Sequence, residues 1–398
     1  MSKENDEYDD EIVEQGDEFY SDDSEQEPEE GDSVDLIQED DDSEPEPEPP
    51  KPTSSRPVLN LKPAPAKRNY FAKVEKSEIK MFSSGCAVLD CVLGGGFPLG
   101  RMSNIVGDKS SGKTLLAIEA CSQFLRRFPD GDIKYFETES AFDVLYAEAL
   151  GMPVESIDFI DCEADNTVEF LFNSLTTVCE KSKVPTLYIV DSMDALSDRA
   201  EQGRKIDEGT YAMGKQKKLS EMFRRLIKKV EASSVHLMIV SQVRERIGQG
   251  VGEKYTRAGG KGLDFYASQI LWLAEIGKLK KTIKGVERVI GIKVKAKCKK
   301  NKVGLPFREC EYPVYFGYGI DDIEAGLKFL ETVKELGSVL VQLGLPDAEK
   351  MTPASSKKIK AMMSSPAELK KLRTIVSESV VKEWESVEEG FLPKTTKY

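Results

Sequence analysis

One segment of eight residues constrains the fold of this chain more than any other. It fits the pattern G-x-x-x-x-G-K-[ST] and consists of Gly107, Asp108, Lys109, Ser110, Ser111, Gly112, Lys113 and Thr114. The apolar run before it, residues 102–106, predicts a buried strand, and the residues after it predict a helix that ends near residue 128. The segment therefore predicts a strand, a glycine-rich turn and a helix that fold as one unit of an α/β sheet.

This turn has the chemistry needed to hold phosphate groups. Its glycines let successive backbone N–H groups point inward, and the N-terminus of the following helix adds partial positive charge at the same place. Lys113 is predicted to reach the β- and γ-phosphates of a nucleoside triphosphate, and the Thr114 hydroxyl to complete the ligand shell of a Mg²⁺ ion. A glycine- and serine-rich turn can match the pattern by chance, but the predicted strand and helix on either side favour a nucleotide-binding loop.

The charge of the chain is divided unevenly. Residues 1–50 contain 24 Asp or Glu side chains and one Lys, so a net charge of −14 for the whole chain leaves +9 on the residues that follow. A basic body is typical of a protein with a polyanionic partner. The acidic segment is too poor in large apolar residues to form a core, and it resembles a tethered competitor for that partner. A solubilising extension is the alternative.

Cysteine usage and hydropathy limit the class of protein. The seven cysteines include no C-x-x-C pair and the only histidine is His236, which disfavours a zinc site and favours reduced thiols within apolar segments. We recognise no signal peptide and no apolar run long enough to span a bilayer. We therefore expect a soluble cytoplasmic protein with no membrane partner, in the cytoplasm of a bacterial host if the chain is viral.

Short apolar runs alternate with amphipathic helices from about residue 67 to residue 320, which is typical of a mostly parallel central sheet flanked by helices. The predicted strands cover residues 102–106, 133–137, 186–191, 235–241, 268–274 and 289–296. The clearest helices cover residues 167–181 and 213–232. The periodicity then predicts helices over residues 324–343 and 366–388, in a small helical C-terminal domain.

Carboxylates follow two of the predicted strands. Asp191 ends the apolar run of residues 187–190, as in a Walker B site, where it would hold Mg²⁺ through water. Glu137 and Glu139 end another strand, and Glu139 has the chemistry of a general base for a water that attacks the γ-phosphate. Because ligands of such folds bind at the carboxyl ends of strands, we expect these side chains near the phosphate-binding loop. Two solvated glutamates at a strand end are the alternative.

Two polar loops lie between the later elements. Residues 243–264 contain six glycines and five Lys or Arg against three acidic residues, and residues 198–212 are also highly charged. A glycine-rich loop of about twenty residues is uncommon in a compact domain and is usually functional or disordered. Beside a nucleotide site it suggests an arm whose Lys and Arg contact nucleic-acid phosphates, while its glycine amides allow close approach. Ordinary surface loops are the alternative for both segments.

In chain order, these features resemble the RecA-type recombinases, particularly their bacteriophage members. The resemblance covers residues 75–322 and rests on the linked motifs GDKSSGKT, FETESAFDVLYA, LYIVDSMDAL, VSQVRERIG, AGGKGLDFYAS and KCKKNKVGLPF. It implies a RecA-like P-loop ATPase core with a mostly parallel central sheet. The other predicted regions are a disordered acidic tail (1–50), a Pro-rich linker with a candidate polymerisation arm (51–74) and the small helical C-terminal domain (323–398).

The resemblance implies roles for residues around an ATP and Mg²⁺ site. Glu139 matches the glutamate that activates the hydrolytic water. Gln242 matches the glutamine that senses the γ-phosphate and couples it to the following loop. Asp143 and Tyr146 match contacts to the adenine base, on which Tyr146 would stack.

Lys300 and Lys302 match lysines that reach the γ-phosphate of ATP bound by a neighbouring subunit. Such lysines would neutralise transition-state charge in trans. The resemblance therefore implies that the ATP site is complete only when subunits stack in a helical filament. A basic surface patch is the alternative for these two residues.

The two polar loops match the DNA-binding loops of the family. Met213 and Ile247 match apolar side chains that wedge between base triplets. An isoleucine in a solvent-exposed basic loop is not expected to belong to the hydrophobic core. The other DNA-binding candidates, whose charges or amides suit a phosphate backbone, are Lys218, Arg225, Arg244, Arg246, Arg257, Gly259 and Gly260.

Several departures limit the resemblance. The N-terminal polymerisation helix of bacterial members is not recognisable, Val251 replaces an aromatic residue of the second loop, and the C-terminal domain aligns only loosely. An acidic segment tempers DNA binding in several relatives but lies at their other end. We expect residues 1–50 to have a similar tempering role.

The resemblance thus implies a DNA-dependent ATPase that forms filaments on single-stranded DNA and exchanges that strand with homologous duplex DNA, with single-strand-binding and loader proteins as accessory partners. Two alternatives stay open: a ring helicase or other motor on the same core, and a regulatory paralogue that loads or blocks another recombinase. Lysines in place of an arginine finger, and an N-terminus without a collar domain, count against a motor. An intact set of Lys113, Glu139, Asp191 and Gln242 counts against a decayed paralogue.

Overall fold

A computed structural model describes residues 79–139, 142–160, 165–203, 213–245, 255–257 and 260–391 of the chain. The predicted acidic tail and Pro-rich linker lie outside the described residues, as do residues 204–212 and 246–254 of the two predicted DNA-binding loops.

The described strands form one large sheet and one small pair. They are β1 (Met81–Phe82), β2 (Phe97–Pro98), β3 (Met102–Gly107), β4 (Asp132–Glu137), β5 (Ile157–Phe159), β6 (Thr186–Asp191), β7 (Val235–Glu245), β8 (Tyr255–Arg257), β9 (Gln269–Ile283), β10 (Val286–Asn301), β11 (Arg308–Tyr315) and β12 (Gly319–Ile320). The large sheet has the order β12-β11-β10-β9-β3-β7-β6-β4-β5, with β8 paired to β7, while β1 pairs with β2. Six neighbouring strands of this order (β9, β3, β7, β6, β4 and β5) are parallel, whereas β10, β11 and β12 pair in antiparallel fashion. The mostly parallel sheet expected from the sequence is therefore confirmed.

Helices cover both faces of this sheet. The described α-helices are α1 (Ala87–Leu93), α2 (Lys113–Arg127), α3 (Val144–Ala149), α4 (Val168–Lys181), α5 (Arg199–Gln202), α6 (Met213–Ala232), α7 (Gly260–Tyr266), α8 (Asp322–Thr332), α9 (Leu336–Gln342), α10 (Pro353–Met363) and α11 (Pro366–Phe391). One apolar cluster joins α4, α6 and α7 to one face of the sheet. A second cluster joins α1, α2 and the four helices α8, α9, α10 and α11 to the opposite face. Because both faces are covered, a central strand such as β6 is buried at every position.

Parallel pairing brings the carboxyl ends of the central strands to one edge of the sheet. The register makes Gly107 of β3 the partner of Gln242 on β7, and Glu137 of β4 the partner of Asp191 on β6. Residues predicted to bind phosphate, hold a metal ion and activate water therefore lie at the ends of adjacent strands, as expected for ligand sites in open α/β sheets.

The β9–β10 hairpin is longer than the sequence predicted. The predicted strands 268–274 and 289–296 extend to meet at a two-residue turn, Lys284-Gly285, in which both residues have positive φ (51° and 76°). This is the primed turn geometry that matches strand twist. The extension was missed because lysines replace the apolar alternation along most of it.

The C-terminal helices differ from one expectation. The single helix predicted over residues 324–343 is wrong, because α8 and α9 are separated by Val333–Glu335, where Lys334 has a left-handed φ of 65°. The helix predicted over residues 366–388 is confirmed as α11, which packs against α1 and α8. Among the described residues, no helix combines the length and apolar character needed to cross a membrane.

Candidate functional site

The phosphate-binding loop lies between β3 and α2, and its geometry requires two of its glycines. A Cβ at Gly107 would lie 2.4 Å from Ser111 Oγ and 2.6 Å from the Leu273 carbonyl, so no side chain fits there. Gly112, just before α2, has a left-handed φ of 83° that L side chains rarely adopt. The Ser111 hydroxyl donates to the Asp108 carbonyl at 2.8 Å and closes the turn.

The next residues of the loop show how its polar groups are used. The N–H of Lys109 donates to Asp108 Oδ1 at 2.7 Å, and Ser110 adopts a positive φ of 60°. Lys113 is 8% exposed, and its Nζ donates to the Asp108 carbonyl. Burial lowers the pKa of Lys113, and nearby carboxylates, Asp191 first among them, oppose that shift. A phosphate beside this ammonium group would favour its charged form in the same way.

Thr114 and Asp191 form the candidate metal site. Asp191 is 7% exposed and accepts a hydrogen bond from the Tyr135 hydroxyl at 2.9 Å. Burial raises the pKa of Asp191, whereas the nearby hydroxyls of Tyr135 and Thr114 lower it. A hydroxyl and a carboxylate beside a phosphate-binding loop are hard oxygen ligands, which Mg²⁺ binds together with nucleotide phosphates. The donor set therefore fits Mg²⁺.

Glu139 lies within a hydrogen-bonded group at the ends of β4, β6 and β7. Gln242 Nε2 donates to Glu139 Oε1 at 2.9 Å, and the Ser192 hydroxyl donates to the same oxygen. The N–H of Gln242 donates to Asp194 Oδ2 at 2.7 Å. The structure thus brings together the predicted general base and the predicted γ-phosphate sensor. Sequence reasoning did not single out Ser192 and Asp194, although both lie in the LYIVDSMDAL motif.

Asp143 and Tyr146 lie at the start of α3. Asp143 caps this helix, because its Oδ1 accepts the N–H of Tyr146 at 2.9 Å. Tyr146 is half-buried against the apolar core, so one side of its ring is supported by the protein. The two residues are held together by the cap, in an arrangement that can present one ring and one carboxylate to a ligand.

The turn between β11 and β12 adds two aromatic residues that sequence analysis did not single out. Phe316 and Tyr318 are 56% and 43% exposed. A Cβ at Gly319, the residue after this turn, would lie 3.6 Å from Leu150, so the chain just after the turn approaches the residue that ends α3. The available signal was the spacing F-G-Y-G, since glycines on both sides of exposed rings are typical of a tight turn that presents them.

Two predicted DNA contacts, Lys218 and Arg225, lie on α6 and already have acidic partners. Lys218 Nζ is 2.7 Å from Glu169 Oε1 and 3.5 Å from Asp198 Oδ1. Arg225 forms an ion pair with Glu221 at 3.3 Å, and its guanidinium lies 4.5 Å from the centre of the Phe172 ring. These cations must exchange partners to bind a phosphate backbone.

The other predicted DNA contacts are placed by the backbone alone or not at all. Met213 begins α6, Arg244 lies in β7, Arg257 ends β8 and Gly260 begins α7. Arg246, Ile247 and Gly259 lie outside the described residues. Their assignment to DNA binding stays a prediction.

Lys300 and Lys302 lie at the carboxyl end of β10, next to α7. Lys300 Nζ donates to the carbonyls of Asp264 and Phe265, the latter at 2.9 Å, and the N–H of Lys302 donates to the Ser268 carbonyl at 2.9 Å. The two lysines therefore end a strand beside the last turn of a helix, where a cation is favoured by the helix dipole.

The parallel sheet, the glycine-rich loop after β3 and the carboxylate that ends β6 define a P-loop nucleotide-binding fold. The RecA N-terminal domain family matches residues 69–321. The chain is similar to three proteins over most of that range. The first is "DNA repair protein recA homolog 1, chloroplastic" of Arabidopsis thaliana, with 35% identity over 264 residues, 65% of this chain and 58% of the relative.

The second is "Protein RecA" of Thermus thermophilus, with 35% identity over 256 residues, 64% of this chain and 72% of the relative. The third is "Protein RecA" of Synechococcus sp. strain CC9605, with 33% identity over 292 residues, 71% of this chain and 74% of the relative. The chain belongs to the RecA family. Because these relatives are bacterial and chloroplast proteins, the particular likeness to bacteriophage members stays a prediction.

Proposed function

We propose that this protein is an ATP-dependent recombinase that assembles on single-stranded DNA and exchanges that strand with a homologous duplex. The contact between Gln242 and Glu139 supports the proposal most strongly. Gln242 lies on β7, the strand that continues after Glu245 into the glycine-rich basic segment, and its side chain donates to the candidate general base. One strand therefore connects the position of the γ-phosphate to the candidate DNA-binding segment.

ATP hydrolysis follows from the arrangement of the site. The N–H groups of the loop and Lys113 would hold the β- and γ-phosphates, and Thr114 and Asp191 would hold Mg²⁺, which would neutralise the charge that develops on the phosphate oxygens. Glu139 Oε1 accepts from Gln242 and Ser192, which leaves Oε2 to take the proton of the attacking water. The attack breaks the bond between the γ-phosphorus and the bridging oxygen and releases ADP and phosphate.

The aromatic residues near α3 suit the base of the nucleotide. Tyr146 supplies a supported ring and Asp143 a carboxylate that can accept from an exocyclic amine, as in adenine. The exposed rings of Phe316 and Tyr318 lie on the turn before Gly319, which approaches the residue that ends α3, so these rings are available to contact the base as well.

The surface around Lys300 supports a filament in which these lysines serve the neighbouring subunit. Phe265 and Phe307 are 69% and 67% exposed, and both lie next to Lys300: one accepts its hydrogen bond, and the other donates its N–H to Cys298 at 2.7 Å. Phe307 also has a left-handed φ of 63°, which is a rare and strained conformation for a bulky residue. Exposed aromatic rings are enriched at interfaces relative to the rest of a protein surface, so these two rings favour an interface here.

The test is ATP hydrolysis with and without single-stranded DNA, on the full chain and on a variant lacking residues 1–50. We expect strong stimulation by DNA, and in the truncated variant stimulation that survives to higher salt, because the 24 acidic residues of the tail no longer compete for the basic body. Strand exchange is then measured with homologous and heterologous duplexes. Turnover that ignores DNA in both proteins would overturn the proposal and favour a regulatory or non-DNA ATPase.

A further inference from the structure

Tyr135 is a buried tyrosine whose ring has little freedom to move. It lies on β4, where the register makes it the partner of Ile189 on β6, and it is 0% exposed. Its ring packs against Phe142 with centroids 5.1 Å apart and against Phe159 at 5.5 Å. Because neighbouring rings fix the side chain, the direction of its hydroxyl group is also fixed.

That hydroxyl donates to Asp191 Oδ2 at 2.9 Å. The Thr114 hydroxyl, on the residue that follows the lysine of the phosphate-binding loop, is near enough to the same carboxylate to lower its pKa. Asp191 is thus held by a rigid residue of the sheet, at a position beside the phosphate-binding loop. A hydrogen bond from a fixed hydroxyl restricts rotation of the Asp191 carboxylate about its Cβ–Cγ bond.

A buried tyrosine in this sheet does not need a carboxylate partner. Tyr188 on β6 is also 0% exposed, and its hydroxyl donates to Ser174 Oγ on α4 at 2.9 Å. Tyr188 therefore satisfies its hydroxyl within the opposite apolar cluster. The choice of Asp191 as the partner of Tyr135 is a feature of the nucleotide site and not a general requirement of the core.

We propose that Tyr135 is a positioning residue for magnesium. Its hydroxyl holds one carboxylate oxygen of Asp191, which would leave the other oxygen to receive Mg²⁺ or a water bound to it. Partners that orient a metal ligand in this way typically change metal affinity by 10- to 100-fold when they are removed. This inference rests on the proposed ATPase function and adds a residue that neither the loop pattern nor the family motifs single out.

The test compares two matched substitutions, Tyr135→Phe and Tyr188→Phe. Each removes one hydroxyl from a fully buried ring. The measurement is binding of a fluorescent ADP derivative as a function of free Mg²⁺, together with binding of Mn²⁺ to the protein–ADP complex by electron paramagnetic resonance. We expect Tyr135→Phe to raise the half-saturating concentration of both ions about tenfold. Nucleotide affinity in EDTA should stay unchanged, and Tyr188→Phe should match the wild type in every arm.

Two further variants separate positioning from general stability. Phe142→Leu keeps the Tyr135 hydroxyl but removes one of the two rings that orient the tyrosine. It should therefore raise the half-saturating Mg²⁺ concentration by a smaller factor than Tyr135→Phe does. In an Asp191→Asn background, Tyr135→Phe should add no further shift, because the group that it positions is gone.

The outcomes distinguish this inference from the function on which it rests. A wild-type Mg²⁺ and Mn²⁺ dependence in Tyr135→Phe, with stability in urea lowered as much as in Tyr188→Phe, would show that the hydroxyl serves the core alone and would overturn the inference. Absence of nucleotide binding by the wild type at every Mg²⁺ concentration would instead overturn the proposed ATPase function itself.

Discussion

Glu139 carries the hydrolytic step at the scale of single residues. Gln242 and Ser192 donate to one of its oxygens, and a glutamine in its place can still accept both hydrogen bonds through its carbonyl. We expect Glu139→Gln to keep ATP binding but to lower the rate of hydrolysis about 100-fold or more, because an amide cannot take a proton from water. Phosphate release and nucleotide affinity are the two measurements.

The control for that variant is Glu148→Gln, which changes an exposed carboxylate on α3. It should hydrolyse ATP at the wild-type rate. Near-normal turnover in Glu139→Gln would identify Glu139 as a solvated glutamate at a strand end and would move the search for the base elsewhere. If the hydrolysis rate and the nucleotide affinity of Glu139→Gln both fall, the substitution has disrupted the structure of the site and does not report on catalysis.

His236 gives a second prediction at this scale, on stability. It is wholly buried, its Nδ1 lies 2.7 Å from the Pro98 carbonyl, and burial lowers its pKa from 6.5 to about 4. Folding therefore favours the neutral ring, so the unfolded chain takes up a proton between pH 6.5 and about 4 while the folded chain does not. We expect this residue to lower the free energy of unfolding as the pH falls through that window, by on the order of 3 kcal/mol at its lower end.

Because His236 is the only histidine, one imidazole signal in a nuclear magnetic resonance titration reports its pKa directly. The signal should show at most about a tenth of full protonation at pH 5. Urea unfolding at pH 7 and pH 5 should show a smaller loss for His236→Gln, whose side-chain amide can still donate to Pro98 and does not titrate. An imidazole that titrates near pH 6.5 in the folded protein would contradict the buried placement.

At the scale of elements, β7 is the strand on which coupling depends. It holds Gln242 against Glu139 and continues toward the glycine-rich basic segment. We expect Gln242→Ala to keep nucleotide binding but to remove the difference in affinity for single-stranded DNA between the ATP and ADP states, because the side chain that senses the nucleotide is absent. The measurement is fluorescence anisotropy of a labelled oligonucleotide with each nucleotide. Gln216→Ala, an exposed glutamine on α6, is the control. A persistent nucleotide-dependent difference in Gln242→Ala would assign the coupling to another element.

The elements also show what local sequence can and cannot predict. Helix α6 was predicted over residues 213–232 and is observed as Met213–Ala232, because its buried side chains (Leu219, Phe223, Leu226 and Val230) recur every three or four residues. The same rule failed at α8 and α9. Apolar residues continue across the break at Val333–Glu335, and neither glycine nor proline marks the left-handed residue there. A break without a local signal is decided by packing against the rest of the fold.

Over the whole molecule, the candidate site divides into a local part and a part made by topology. Gly107 to Thr114 could be found from sequence because the loop, its strand and its helix are contiguous. The contacts of Tyr135 could not be found from the sequence. Its hydroxyl reaches Asp191 because β4 and β6 are neighbours in the sheet. The turn of Phe316 carries a local signal in its glycines, but its approach to the residue that ends α3, far away in the sequence, is likewise made by topology.

Assembly is the remaining property of the whole molecule, and Lys300 and Lys302 test it. Each isolated subunit of the double variant Lys300→Ala with Lys302→Ala should still bind nucleotide, because its own loop is intact, but its filaments should hydrolyse ATP at least about 100-fold more slowly. Mixing it with Glu139→Gln subunits places intact lysines beside intact loops at some interfaces. We expect partial recovery of turnover at intermediate ratios, whereas no recovery at any ratio would assign the lysines to the subunit that carries them.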